Sequence, residues 1–168
     1  LSYKNFPIGK SIYEKNCNNI IKNIFETSNK HSCSIIYPDD VVIGKNFDSQ
    51  PIVKELNSIQ DDDIILDIGP KTIKKIDGII NSSKTILWNG PAGYFENPSF
   101  ATGSYEIAKS IVRKYKKDSL YSVAGGGDTI AVLNKVNAID DFNFVSTAGG
   151  AFLEYLEGKK LPGISALN

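Results

Sequence analysis

From Ser11 to Asn29, apolar residues recur at Tyr13, Cys17, Ile20, Ile21 and Ile24. That three-to-four spacing predicts an amphipathic helix, and Ser11 followed three residues later by Glu14 has the form of a capping box. Two short β-type runs come next, Cys33–Tyr37 and Val41–Ile43, divided by a predicted turn at Pro38-Asp39-Asp40. The polar stretch Lys45–Asp63 shows little periodicity and is predicted as a loop with at most a short helical piece.

A regular alternation follows. Ile64–Ile68 is an apolar run interrupted only by Asp67, and it ends at Gly69-Pro70. Thr72–Ser82 carries Ile73, Ile76 and Ile80 at helical spacing. Thr85–Trp88 is a predicted strand ending in Asn89-Gly90-Pro91, and Ala101, Tyr105, Ala108, Val112 and Tyr115 mark a helix after it. Tyr121–Ala124 is a strand running into Gly125-Gly126-Gly127, with a helix over Thr129–Val136. Asn143–Ser146 is the last strand, and Gly149-Gly150 open a last helix through Phe152, Leu153 and Leu156. Short strands alternating with helices predict βαβ units, hence an α/β fold with a mostly parallel sheet covered on both faces.

Composition narrows the function classes. Nineteen Lys and Arg balance nineteen Asp and Glu, which argues against a dedicated nucleic-acid binder with its basic excess. No apolar run approaches the ~18 residues of a membrane span, and no signal segment opens the chain. Cys17 and Cys33 are isolated thiols without metal-type spacing, a usage that suits a reducing cytoplasm. The 168 residues include no methionine and start at Leu1, so the chain is expected to be a piece of something longer. Arg113 is the only arginine. Because arginine is the usual clamp for carboxylate and phosphate, most of any clamp for an anionic substrate is expected to lie elsewhere.

In an open α/β sheet, ligands bind beyond the carboxyl ends of the strands. Four such ends share glycine-rich turns: Asp67-Ile68-Gly69-Pro70, Trp88-Asn89-Gly90-Pro91, Gly125-Gly126-Gly127-Asp128-Thr129 and Ser146-Thr147-Ala148-Gly149-Gly150. Three of them lead directly into a predicted helix, whose free N–H groups and dipole favour an anion, phosphate above all. Asp128 is suited to a hard cation shared with substrate phosphates, although aspartate there is equally a good N-cap. Neither GxxxxGK[ST] nor GxGxxG is present. Glu96, in a segment with Tyr94, Phe95 and Phe100, is placed to accept ribose hydroxyls or to be an ordinary surface charge. His31, the only histidine, reads as a surface residue, and Trp88 as core.

Together these motifs resemble phosphoglycerate kinase. The resemblance is carried by Trp88-Asn89-Gly90-Pro91-Ala92-Gly93-Tyr94-Phe95-Glu96, by Gly125-Gly126-Gly127-Asp128-Thr129 and by the stretch from Leu153 through Glu157-Gly158-Lys159-Lys160 to Gly163. Asp67-Ile68-Gly69-Pro70-Lys71-Thr72 and the Pro38–Val42 segment fit the same pattern. It implies a cytoplasmic, monomeric, two-lobed glycolytic enzyme. That enzyme transfers the acyl phosphate of 1,3-bisphosphoglycerate to Mg-ADP, giving ATP and 3-phosphoglycerate. Residues 1–168 would then be part of its C-terminal lobe, a Rossmann-like three-layer α/β/α domain that binds the nucleotide. This piece would be incomplete at its N-terminal end, with Asn168 a natural end, and the N-terminal lobe that holds phosphoglycerate would be absent.

Carried over residue by residue, the resemblance makes Leu66 a wall of the adenine pocket, places Asn89, Gly90, Pro91 and Tyr94 on the nucleotide, and gives Glu96 the ribose. Gly126, Gly127, Asp128 and Thr129 become the phosphate loop, with Asp128 the Mg2+ ligand, and Gly149 and Gly150 face the transferred phosphoryl group. Three departures stand out: Ala148 where the family has a glycine, Phe152 for a small residue, and Tyr94 for an aliphatic one. A fragment of this kind is expected to be inactive alone. The alternatives are a non-catalytic nucleotide-binding module and an NAD-dependent oxidoreductase on a Rossmann-like sheet, the second disfavoured by the absent GxGxxG.

Overall fold

The computed structural model describes residues 1–118 and 120–167; Asn168, expected as the natural end, lies outside them. The N-terminal residues are irregular as far as the helix α1 (Asn18–Lys30). Then follow the strands β1 (Asp40–Gly44), β2 (Ile52–Glu55) and β3 (Ile64–Ile68), helix α2 (Pro70–Ser82) and strand β4 (Thr85–Asn89). The C-terminal half runs α3 (Thr102–Lys117), β5 (Tyr121–Gly125), α4 (Gly127–Lys135), β6 (Phe144–Ser146), α5 (Gly149–Leu156) and α6 (Pro162–Ser165).

The fold is the expected three-layer α/β/α arrangement around a parallel sheet in the order β4-β5-β6. Alternation decides the two faces. Trp88 and Ala124 point into the main core with Ala108 and Ile111 of α3 and Val132 and Leu133 of α4, while α2 stacks on α3 and adds Ile80. On the opposite face α5 lays Phe152 over Gly125, where a methyl group would come within 2.9 Å of the ring. That second layer is thin. Leu87, Tyr121 and Phe144 on the same face are 45%, 54% and 51% exposed, unusual for a parallel sheet, which is normally buried on both sides.

The N-terminal half departs from the sequence expectation. The predicted helix from Ser11 starts instead at Asn18, because the segment before it is pinned to β3. Gly9 bridges Ile64, Lys10 donates its N–H to the Asp63 carbonyl at 2.7 Å, and the Ser11 hydroxyl, expected as a cap, accepts the Ile65 N–H at 2.8 Å. Cys33–Tyr37 forms no strand, since no neighbouring strand pairs with it. The predicted loop at 45–63 contains β2, which pairs antiparallel with β1; β1 also pairs antiparallel with β3, making a separate three-stranded sheet β2-β1-β3. Its core is Val41, Ile43, Leu56 and Ile59. The expectation of parallel pairing thus holds for the second sheet and not for the first.

Two buried carboxylates organise this first sheet. Asp40 accepts the Thr72 N–H at 2.8 Å and the Lys71 N–H at 3.0 Å, capping α2 from outside the helix. Burial opposes ionisation of Asp40, but these N–H groups and the Thr72 hydroxyl outweigh it and lower its pKa. Asp63, fully buried, accepts Lys45 Nζ at 2.7 Å, Lys54 Nζ at 2.6 Å and the Gln60 N–H at 2.7 Å. Desolvation alone would raise the Asp63 carboxyl; the two lysines and the Gln60 N–H overcome it and hold it well below the usual carboxylate range.

Candidate functional site

Of the sequence-predicted residues, Asn89–Pro91, Gly126–Thr129 and Gly149–Gly150 lie at the carboxyl ends of β4, β5 and β6, whereas Leu66 lies on β3 and Tyr94 and Glu96 farther along the loop after β4. Gly90 has a φ of +94° with open space where a side chain would stand, so conformation alone calls for glycine there. Its N–H donates to the Thr129 hydroxyl at 2.7 Å, and its carbonyl accepts the Trp88 indole N–H at 2.9 Å. Gly126, φ +91°, lies against the Asn89 amide oxygen, 3.1 Å from where a methyl group would be. A methyl group on Gly149 would sit 3.5 Å from the Gly126 Cα. The β4 turn and the first turns of α4 and α5 therefore meet in one place.

What they offer there is backbone N–H. The N–H groups of Gly127, Asp128 and Thr129 precede the first helical bond of α4, from the Ile130 N–H to the Gly126 carbonyl. Gly149, Gly150 and Ala151 are in the same position ahead of the Phe152 N–H bond to the Ala148 carbonyl. Helix dipoles add to the positive potential at both starts. Gly127 and Gly150 have no atom within 4 Å of a notional side chain, which leaves the space above both turns free. Asp128 caps nothing: it is exposed, with no hydrogen bond or ion pair among the described residues. The Thr129 hydroxyl is turned inward on Gly90, and the residue as a whole is fully buried.

Further along the same loop lies a cleft of about 270 Å³ lined by Leu66, Asp67, Pro91, Ala92, Gly93 and Tyr94, with Pro38 and Val41 behind. The Tyr94 N–H donates to the Leu66 carbonyl at 2.7 Å, and the Tyr94 ring meets Phe47 edge-on at 5.2 Å. The loop after β4 thus runs from the glycine turns to this cleft. Glu96 is exposed just beyond Tyr94.

Over residues 1–159 the sequence matches the family model of phosphoglycerate kinase. The chain belongs to the phosphoglycerate kinase family. Phosphoglycerate kinase of Orientia tsutsugamushi strain Ikeda is 50% identical over 171 residues, covering 99% of this chain and 42% of the relative. That of Wolbachia pipientis wMel is 45% identical over 169 residues with the same coverage. The solved structure of phosphoglycerate kinase from Coxiella burnetii superposes with a TM-score of 0.91 at 36% identity, over 98% of this chain and 42% of that one. The Pyrococcus horikoshii enzyme superposes with a TM-score of 0.72 at 30% identity, over 99% and 41%. The chain spans about 42% of the length of the curated relatives it matches.

Against the family pattern, Ala148 is harmless to the backbone: its φ is −91°. Phe152 is accommodated by the bare Cα of Gly125. The Mg2+ that accompanies nucleotides in such enzymes is typically held by one or two carboxylates plus phosphate oxygens. A single unpaired Asp128 beside free N–H groups fits that pattern, whereas no group of three or more His, Cys, Asp or Glu gathers among the described residues to hold a metal by itself. The sequence reading missed Ser104 and Phe47 around the cleft, and it placed Asp67 in a strand-end turn and a family motif without giving it a role. His31 is exposed at the end of α1 and both cysteines are free, away from the glycine turns.

Proposed function

We propose that this chain is the nucleotide-binding part of a phosphoglycerate kinase, holding Mg-ADP or Mg-ATP while a second lobe presents 1,3-bisphosphoglycerate or 3-phosphoglycerate. Residues 1–168 stand for part of the C-terminal lobe of a monomeric cytoplasmic enzyme. No helix among the described residues is long and apolar enough to cross a membrane. Leu66, Pro91 and Tyr94 flank the base, Glu96 takes the ribose, and Asn89 and Gly90 shape the turn between them. Gly126, Gly127 and Thr129 line the phosphates, and Asp128 shares Mg2+ with them. Gly149 and Gly150 receive the phosphoryl group in transit. Transfer of this kind needs positioning and charge stabilisation more than covalent help, which is what free helix N-termini supply.

The observation that supports this reading is the meeting of Gly90, Gly126 and Gly149, three backbone turns in contact beside an apolar cleft. The family membership leaves no support for a nicotinamide-dependent oxidoreductase. Calorimetric titration of the chain with Mg-ADP, in competition with NAD, tests the nucleotide site; ADP should bind and NAD should not displace it. Turnover of ATP with 3-phosphoglycerate should be absent for the chain alone and return when the rest of a phosphoglycerate kinase is supplied. Turnover by the chain alone refutes the partial-lobe reading, and ADP binding without restored turnover indicates a non-catalytic module.

A further inference from the structure

Asp67 stands where three elements meet, and nothing above gives it a task. It is 2% exposed at the end of β3. Its Oδ2 accepts the Gly103 N–H at 2.8 Å, in the first turn of α3, and its Oδ1 accepts the Ile68 N–H at 2.8 Å. A methyl group on Gly103 would lie 2.3 Å from Oδ1, and one on Gly93, in the loop after β4, 2.4 Å from it. Neither glycine has a positive φ, so crowding rather than conformation excludes a side chain at both: the Asp67 carboxylate is the nearest neighbour of each, with the Phe100 carbonyl 2.6 Å from a methyl group on Gly93 and Ile68 Cγ1 2.5 Å from one on Gly103. The loop backbone is fastened on either side of this point. The Ala92 N–H donates to the fully buried Ser104 hydroxyl at 3.0 Å, and the Tyr94 N–H to Leu66. Leu66 and Ser104 are the chain neighbours of Asp67 and Gly103.

We propose that Asp67 is a positioning residue: its carboxylate ties the start of α3 to the end of β3 and thereby sets Ala92–Tyr94 as the wall against which a nucleotide base rests. This rests on the nucleotide reading above. Another aliphatic residue would continue the run Ile64–Ile68 without a buried charge, and burying a charge is costly unless its partners matter to the structure. Here the partners are backbone N–H groups, and what they fix is the helix start that holds the loop.

The test uses Asp67→Asn, of equal shape but with an NH2 facing one of the two donors, beside Asp63→Asn, a buried carboxylate away from the cleft. Hydrogen exchange at the Ala92 and Tyr94 amides should quicken about tenfold in Asp67→Asn, with Val132 and Leu133 in α4 unchanged, and affinity for Mg-ADP should fall about tenfold. Asp63→Asn should lower stability without either local effect. Unchanged exchange at Ala92 and Tyr94, or a chain-wide rise like that of Asp63→Asn, overturns the proposal. So does a loosened loop with wild-type ADP affinity. If the loop loosens while even the wild-type chain ignores ADP, the nucleotide reading has failed and the hold of Asp67 on the loop stands. Should Asp67→Asn not fold, Gly103→Ala displaces the same carboxylate from the α3 side without lining the cleft, and the same outcomes apply.

Discussion

The Gly90 N–H donates to the Thr129 hydroxyl at 2.7 Å, so the turn after β4 and the first turn of α4 are one body. A residue with positive φ is held at both ends, since Trp88 takes its carbonyl. Thr129→Val keeps the shape and removes the acceptor. Gly90 is exposed and its N–H can turn to water, so the loss is that of an ordinary hydrogen bond, about 0.5–1.5 kcal/mol, and denaturant unfolding should show a loss of that size. Mg-ADP affinity should fall with it, because Gly90 is then free to shift against Gly126. Thr129→Ser should retain both. A Val variant as stable and as tight-binding as the parent would show that the bond organises nothing.

Gly93 and Gly103 share a crowding neighbour in Asp67, and each has a second one, the Phe100 carbonyl for Gly93 and the Ile68 side chain for Gly103. Alanine at either forces a methyl group to within 2.4 Å or 2.3 Å of the Asp67 carboxylate. Overpacking of this sort typically costs about 1–3 kcal/mol, readable as a lower urea midpoint. In Asp67→Ala each second substitution should cost less, with the larger relief at Gly103, whose other close neighbour is a side chain, than at Gly93, where the Phe100 carbonyl remains; a double-mutant cycle measures the coupling.

Sequence periodicity and turn chemistry made the C-terminal half legible because its helices and strands answer to local patterns. Ala101 and Ala108 lie in the core, with Tyr105, Val112 and Tyr115 packed against it, as their spacing announced. The glycine turns were legible for the same reason: each lies between a strand and a helix, and chain order alone brings such ends to one edge of a parallel sheet. The N-terminal half was not, because its structure depends on distant partners. Ser11 reads as a cap until Ile65 claims its hydroxyl, and Cys33–Tyr37 reads as a strand until no neighbour pairs with it. The Asp67 contacts also escaped, since Gly93 and Gly103 lie far from it in sequence.

Stability should depend on pH through buried carboxyls of opposite sign, Asp40 and Asp63 lowered and Asp67 raised. Asp63 is held below its ordinary value by Lys45 and Lys54 against desolvation. A lowered folded-state pKa gives stability that is present above the unfolded value and lost as pH falls below it. Burial pushes the Asp67 carboxyl from 3.8 up to about 6, against the pull of Gly103 and Ile68. Its contribution is full below 3.8 and lost as pH rises through about 6. Asp63→Asn should therefore remove its share of the acid limb of the stability profile, leaving that of Asp40, and lower stability at neutral pH by less than the ~3–5 kcal/mol of a fully buried pair, because Lys45 is 42% exposed. Asp67→Asn should remove the decline between pH 4 and 6 and leave the acid limb. Identical profiles for both variants would contradict the assignment.

Gly127 separates what the fold needs from what a ligand needs. It has no positive φ and no atom within 4 Å of a notional side chain, and it opens α4. Replacing it by alanine at such a site reduces the freedom of the unfolded chain, so the protein should gain about 0.4–1 kcal/mol. The same methyl group would occupy open space at the first turn of α4, where phosphate oxygens would have to come close to the backbone. Gly127→Ala should thus raise the unfolding midpoint and weaken Mg-ADP binding in the same sample. Ala148→Gly is the converse control: with φ at −91° there is no strain to relieve, so it should lose a few tenths of a kcal/mol and gain no affinity. If Gly127→Ala binds Mg-ADP as tightly as the parent, the phosphates do not lie over the first turn of α4.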